Sequence, residues 1–333
     1  MKKWFVRGLL ALLAMLVIAF LIFRTPDTDP AAMRARYGGP PSQFVAIGGG
    51  ISVHLRDEGP QNGRRDAPVI MLLHGSNADL HTWEPWVEAL KGQYRVIRFD
   101  QVGHGLTGPD PAGDYSRDNY VEDIREVADA LGLDRFILGG NSMGGKHALA
   151  FAAAHPERLT GLVLVDASGG PMLRLDRKED EAKDSGNIGF TIARLPGVNL
   201  IAEQITPRAL IRQSLEQSVS VKSVASPAAV DRYWELLRYP GNRRATLARF
   251  SLPYDPLAEE EIAGISHPAL ILWGAEDRLI PVEAGQWLAR TLPNSRLVTY
   301  PGIGHLPHEE APAATLVELQ AWLARHADGA NAR

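Results

Sequence analysis

Gly139-Gly140-Asn141-Ser142-Met143-Gly144-Gly145 follows the apolar run Phe136-Ile137-Leu138 and precedes an alanine-rich apolar stretch at 148–154. An apolar run, a glycine-rich turn and then helix formers predict a strand that turns sharply into a helix. Within the turn, Gly140-x-Ser142-x-Gly144 fits a nucleophile elbow. A serine in a strained turn stands its hydroxyl clear of the sheet edge, and strand and helix nearly touch two residues either side, where only a very small side chain fits. The helix that follows aims its free N–H groups, Met143 first, at charge developing near Ser142. Two other readings of the string stay open at this point. Residues 140–146 also spell G-x-x-x-x-G-K, a phosphate-binding loop whose next position should be Ser or Thr for magnesium and is His147 here. A glycine-rich turn without chemistry is the third.

The chain of 333 residues is long enough for one large domain or two modest ones, and 45% hydrophobic with 22% charged residues supplies an ordinary globular core. A net charge of −4 and a pI near 6.2 speak against a nucleic-acid partner, which calls for a basic face. The absence of cysteine removes disulfides, thiolate metal sites and a cysteine nucleophile together.

The N-terminus departs from this pattern. Residues 4–23 are apolar apart from Arg7, and about twenty helical residues span the roughly 30 Å of bilayer hydrocarbon. Arg7 lies near the end, where its guanidinium can snorkel to the headgroups beside Lys2 and Lys3. No small-x-small cleavage site closes the run, which ends Leu-Ile-Phe-Arg, so an uncleaved anchor over 1–24 is the expectation and a cleaved signal peptide the alternative. Lys2, Lys3 and Arg7 precede the span and Arg24 alone directly follows it, although Arg34 and Arg36 narrow the difference. The positive-inside bias then predicts a single-pass inner-membrane protein with its domain on the periplasmic or extracytoplasmic side.

Residues 25–43, rich in Pro, Asp, Gly and Ala without an apolar period, read as a linker or loosely docked arm. Strands are predicted at 44–47, 51–55, 69–73, 94–99, 136–139, 162–165, 269–273 and 297–300. Helices are predicted at 83–90, 120–131, 148–154, 282–292 and 313–325. Between about 168 and 261 the texture changes to charged, helical stretches broken at Pro196, Pro207, Pro227, Pro240 and Pro253, as in an inserted helical segment. Alternating strands and helices mean an α/β fold with a mostly parallel central sheet. The reading divides the chain into the anchor, the linker, a core in two parts at 44–167 and 262–327 flanking the 168–261 insertion, and a tail at 328–333.

In open α/β sheets, catalytic groups gather beyond the carboxyl ends of strands. Following the predicted strands come His74-Gly75-Ser76-Asn77, then Asp100-Gln101-Val102-Gly103-His104-Gly105, then the Ser142 turn, Asp166, Gly274-Ala275-Glu276-Asp277, and Gly302-Ile303-Gly304-His305. A serine, an acid and a histidine thus occupy strand ends, in that order.

Together with the elbow, this order resembles the α/β-hydrolase superfamily, and the resemblance runs over roughly 44–326. It implies an α/β-hydrolase fold in which the insertion is a helical cap roofing the pocket. It implies Ser142 as nucleophile, His305 as general base and Asp277 as the acid, with Ser76 and Met143 giving the oxyanion-hole N–H groups. Asp100 to Gly105 matches a family stretch of structural role. An imidazole takes the serine proton, and a carboxylate fixes its tautomer. The two N–H groups hold the tetrahedral oxyanion, at about 3 kcal/mol per donor. That chemistry needs neither metal nor cofactor.

Each assignment has competitors nearby. His308 lies beside His305, Glu276 beside Asp277, and Asp166 follows the strand after the nucleophile, where some relatives place their acid. The remaining histidines, Trp83 and Trp86 read as core or surface residues. The Gly-Asn-Ser-Met-Gly-Gly string also looks like the elbow of hydrolases that cleave carbon–carbon bonds in ring-cleavage products. Those relatives carry Gly-Pro-Gly after the first His-Gly and a tryptophan after the catalytic histidine, where this chain has Asn77-Ala78-Asp79 and Leu306. A small carboxylic ester with an apolar group is therefore the expected substrate, with Asn77 as a substrate contact. Carbon–carbon cleavage and a catalytically silent binding fold are the alternatives.

Overall fold

The computed structural model describes residues 2–60, 67–170 and 203–326. Eight strands form one sheet: β1 (Ser42–Ala46), β2 (Ser52–Glu58), β3 (Val69–Leu73), β4 (Arg95–Phe99), β5 (Phe136–Asn141), β6 (Leu159–Val165), β7 (Ala269–Gly274) and β8 (Ser295–Tyr300). Their order is β1-β2-β4-β3-β5-β6-β7-β8; β1–β2 and β2–β4 pair antiparallel, and every other pair is parallel. The described helices are α1 (Lys2–Phe23), α2 (Pro30–Tyr37), α3 (Glu84–Leu90), α4 (Arg117–Ala130), α5 (Met143–Ala154), α6 (Arg208–Ser218), α7 (Pro227–Leu237), α8 (Asn242–Ser251), α9 (Glu259–Ala263), α10 (Val282–Thr291), α11 (Pro307–Glu310) and α12 (Pro312–His326).

The unbroken apolar runs follow from burial on both faces. In β3, Met71 and Leu73 point into a core shared with α4, α5 and α10, while Ile70 and Leu72 pack opposite, against α3 and α12. Side chains that alternate along a strand need helices on both sides to leave water. The second core holds Trp83 and Trp86, as their helical spacing predicts. The first turn of α4 lies three residues ahead of the predicted start, because the Ser116 hydroxyl caps it by accepting from Asn119 N.

Of the two readings of 25–43, linker or docked arm, the structure has the docked arm, and it carries a helix. Asp29 accepts from Ala32 N and Pro30 occupies the first turn, so an N-cap and a proline at N1 start α2 inside it. Met33 of α2 buries against Leu106, Leu236 and Tyr239. Upstream of α2 the backbone is tied to the helices between β6 and β7, with Thr25 N donating to Gln204 O at 2.8 Å and Thr28 N to Arg238 O at 2.9 Å. Short polar segments lack an apolar period when they dock mainly by hydrogen bonds, which hides such an arm from pattern reading. Residues 4–23 of α1 are long and apolar enough to cross a membrane, and none of that span is buried. Part of the expected insertion, 171–202, and the expected tail lie outside the described residues.

Candidate active site

β5 ends at Asn141 and α5 begins at Met143, so Ser142 alone makes the turn. Its φ of 53° and ψ of −116° cost a non-glycine residue on the order of 1–3 kcal/mol, which the surroundings must override. They do so by hydrogen bonds from Ser142 N to Val165 O (3.0 Å) and onto Ser142 O from Ser168 N (3.0 Å). The steric expectation for the flanking glycines holds. A Cβ on Gly140 would lie 2.3 Å from the Gly144 carbonyl, and one on Gly144 would lie 2.4 Å from Leu73 O. A one-residue turn leaves no ring of N–H groups to surround a phosphate. His147 is turned inward as well, stacked on Tyr120 at 4.1 Å with Nδ1 2.6 Å from Gln101 Oε1. The phosphate-loop reading therefore ends here.

Because β3 and β5 are neighbours at the place where the strand order reverses, the segment after β3 lies against the elbow. Gly75 is so close that a Cβ there would meet Asn141 Oδ1 at 2.7 Å and Ser142 Cβ at 3.3 Å. Ser76 and Asn77 line the same cavity as Ser142, and Asn77 takes a φ of 61°. Met143, at the head of α5, has no carbonyl four residues back within its own helix.

His305 Nδ1 lies 2.7 Å from Asp277 Oδ2, with both side chains buried. Asp277 Oδ1 accepts from Leu279 N (2.7 Å) and Ile280 N (3.1 Å), which fixes the carboxylate. An Nδ1–H donating to a carboxylate leaves Nε2 as the basic nitrogen. The competing acids separate clearly. Glu276 is exposed. Burial first, and then the charge of Asp277, push the Asp166 carboxyl well above the usual range, toward the protonated form, and its Oδ1 accepts from Gly274 N. Asp166, Asp277 and His305 bring ligand atoms within 4.8 Å of one another. Metal ligands must be deprotonated, whereas Asp166 is pushed toward its neutral form and the His305 imidazole is already bonded to Asp277. His308 is elsewhere: it stacks on Trp83 at 4.3 Å, its Nε2 is 2.9 Å from Thr82 Oγ1, and burial pulls its pKa down to about 3. The stretch after β4 is structural, for Asp100 binds His54 Nδ1, Leu80 N and Leu106 N.

Three side chains that sequence reasoning left unassigned hold this site together. Asn141, buried under the elbow, donates from Nδ2 to Val165 O (3.1 Å) and His305 O (3.2 Å). Glu310 collects the N–H groups of Ser220, Val221 and Gly304 on Oε2 and that of Leu306 on Oε1. Arg249 of α8 reaches the Ser76 hydroxyl. Glu310 and Arg249 sit in no motif, and Asn141 fills a variable position of the elbow motif, where only its place beside Ser142 offers a signal.

The cavity above Ser142 and His305 has a volume of about 410 Å³. Its walls are Leu210, Ile211 and Leu215 of α6, Leu237 of α7, and Leu247 and Phe250 of α8. Thr206 and Arg243 also line it, and both are bonded to the arm that follows α1: Thr206 N donates to Thr25 Oγ1, and Arg243 to Thr25 O and Asp27 Oδ1.

Comparison with known proteins finds hydrolases similar to this chain. A 2-hydroxy-6-oxo-2,4-heptadienoate hydrolase of Pseudomonas putida is 29% identical over 272 residues, 78% of this chain and 88% of that one. A meta-cleavage product hydrolase of Pseudomonas fluorescens shares the fold, with a TM-score of 0.70 at 22% identity over 85% of this chain and 97% of its own. A solved membrane phospholipase A, described as a bacterial virulence factor, matches with a TM-score of 0.65 and 27% identity over 100% of both chains. Residues 68–312, from β3 to the start of α12, match the family model for the alpha/beta hydrolase fold. With its elbow, its strand-end acid and histidine and this match over most of its length, the chain belongs to the α/β-hydrolase family.

Proposed function

We propose that the protein is a serine hydrolase that cleaves carboxylic esters carrying an apolar acyl chain, presented to it at a membrane surface. The observation that carries this reading is the apolar cavity of about 410 Å³, with Ser142 and His305 in its lining and helices α6, α7 and α8 as walls. Those helices act as a cap whose leucine, isoleucine and phenylalanine side chains hold the acyl chain by burial, at roughly 25 cal/mol per Å². The Ser142 hydroxyl attacks the ester carbonyl as His305 Nε2 takes its proton. Asp277 holds the imidazole tautomer and stabilises the imidazolium. The N–H groups of Ser76 and Met143 receive the oxyanion. His305 returns the proton to the leaving alcohol, then activates the water that releases the acid.

Two features support the membrane part. The span Trp4–Phe23 is apolar and unburied, and the segment directly after it is bonded to Thr206 and Arg243 of the cavity wall. The solved membrane phospholipase A matches over 100% of both chains. With α1 as an uncleaved anchor and the positive-inside charge pattern, the domain stands on the extracytoplasmic side.

A fluorophosphonate probe and a panel of nitrophenyl esters and phospholipids, run on wild type and Ser142→Ala, test the proposal. Labelling and turnover that survive in the variant would sink it. The relatives that act on ring-cleavage products favour a second reading, carbon–carbon cleavage of a vinylogous 1,5-diketone. Turnover of such a dienoate faster than any ester would establish it instead.

A further inference from the structure

We propose that Arg249 is a positioning residue that backs the oxyanion hole with a buried positive charge that no carboxylate among the described residues pairs; the inference rests on the serine-hydrolase reading above. Its guanidinium bridges the two residues assigned to the hole: one terminal nitrogen lies 3.2 Å from Ser76 Oγ and 3.2 Å from Met143 Sδ. The other donates to Thr246 Oγ1 at 3.0 Å and reaches Asn77 Oδ1 at 3.5 Å. Thr246 in turn donates to Asn77 Oδ1 at 3.2 Å, so Asn77, the positive-φ residue beside Ser76, is held from two directions.

The described partners of Arg249, namely Ser76, Met143, Asn77 and Thr246, are all neutral. Among the described residues no carboxylate forms an ion pair with Arg249, and its buried Nε has no acceptor. The titratable groups around it are His74, His104, His147, Tyr115 and Tyr120. Burial pushes the three histidines toward the neutral form and the two tyrosines further from ionising. Burial also lowers the pKa of Arg249 itself, yet a guanidinium stays protonated in proteins. A lone cation in a low-dielectric setting is costly unless a negative charge arrives. The tetrahedral oxyanion is that charge. A glutamine keeps only part of this donor set and no charge, whereas a lysine keeps the charge with a single donor nitrogen, so the two replacements separate charge from hydrogen bonding. Because Arg249 belongs to α8, it also couples the cap to the hole.

The test compares Arg249→Gln, which keeps donors without charge, with Arg249→Lys, which keeps charge. Both are made in the full chain and checked by thermal melting. The glutamine variant is expected to lose about 30-fold in kcat on a neutral nitrophenyl ester, with KM within about twofold. Its affinity for an alkyl boronic acid, which becomes an anionic tetrahedral adduct on Ser142, is expected to weaken by a similar factor. The lysine variant is expected to recover most of both. Unchanged kcat and boronate affinity in Arg249→Gln would overturn the proposal. So would a change confined to the KM of anionic esters, which would make Arg249 a substrate subsite, and so would an equal loss in Lys and Gln variants, which would make it scaffold. Failure of the underlying reading looks different: wild type itself would escape the fluorophosphonate.

Discussion

Ser142 and His305 meet in one cavity, yet their backbones are held by different kinds of force. The elbow is a steric object: two glycines let β5 and α5 cross, and a single strained residue completes the turn. The histidine loop is held by polar bonds gathered from distant parts of the chain. His305 N donates to Ser218 O at 3.0 Å, its carbonyl accepts from Asn141, and Glu310 binds the N–H groups on both sides of it. Position is thus set by exclusion at Ser142 and by hydrogen bonding at His305. Volume changes should damage the first and loss of acceptors the second.

The largest effect is expected where both halves converge. Ser142→Ala and Asp277→Asn should each lower kcat/KM by about 10⁴-fold in steady-state ester assays, with unchanged melting temperature, because the geometry survives while the chemistry does not. Next comes the steric half. Gly144→Ala drives a methyl to 2.4 Å from Leu73 O, and chemical denaturation should show a loss of roughly 3 kcal/mol. Glu310→Ala attacks the polar half. It should cost about 2 kcal/mol of stability and lower kcat 10- to 100-fold, while fluorophosphonate labelling is slowed rather than abolished. A Gly144 variant that melts normally, or a Glu310 variant with wild-type kcat, would break the contrast.

The smallest expected effect lies away from the site and depends on pH. Burial first, then Asp110, Glu126, Glu122 and Asp114, raise Asp123 of α4 to about 7. The folded state therefore keeps a proton that the unfolded chain gives up above about pH 4, so this residue's contribution falls as pH rises from about 4 to 7. Asp123→Asn removes that slope. Its stability relative to wild type should improve by roughly 2 kcal/mol between pH 5 and pH 8 in urea titrations, and a constant difference would refute the burial argument.

How much of this was readable in the sequence follows the same division. Steric constraints leave local signatures. Gly140-x-Ser142-x-Gly144, the apolar strands and the acid and histidine at strand ends can all be read from residue order. Polar constraints between distant residues leave none. Asn141 and His305 are 164 positions apart, and Arg249 is 173 from Ser76. Only the fold brings them within reach. For 25–43 the sequence left linker and docked arm open for a related reason, since its Asp29-Pro30 start signal is local but its anchoring to Arg243 and Gln204 is not.

That anchoring also bears on kinetics. With α1 in a bilayer, a floppy tether would let the domain tumble and sample dissolved substrate in every direction. Bonds from Thr25, Asp27 and Thr28 to residues around the cavity hold the domain at one attitude instead. For the membrane-borne ester proposed above, encounter would then be a two-dimensional search, governed by the mole fraction of ester in the leaflet and by lateral diffusion rather than by its concentration in the surrounding water.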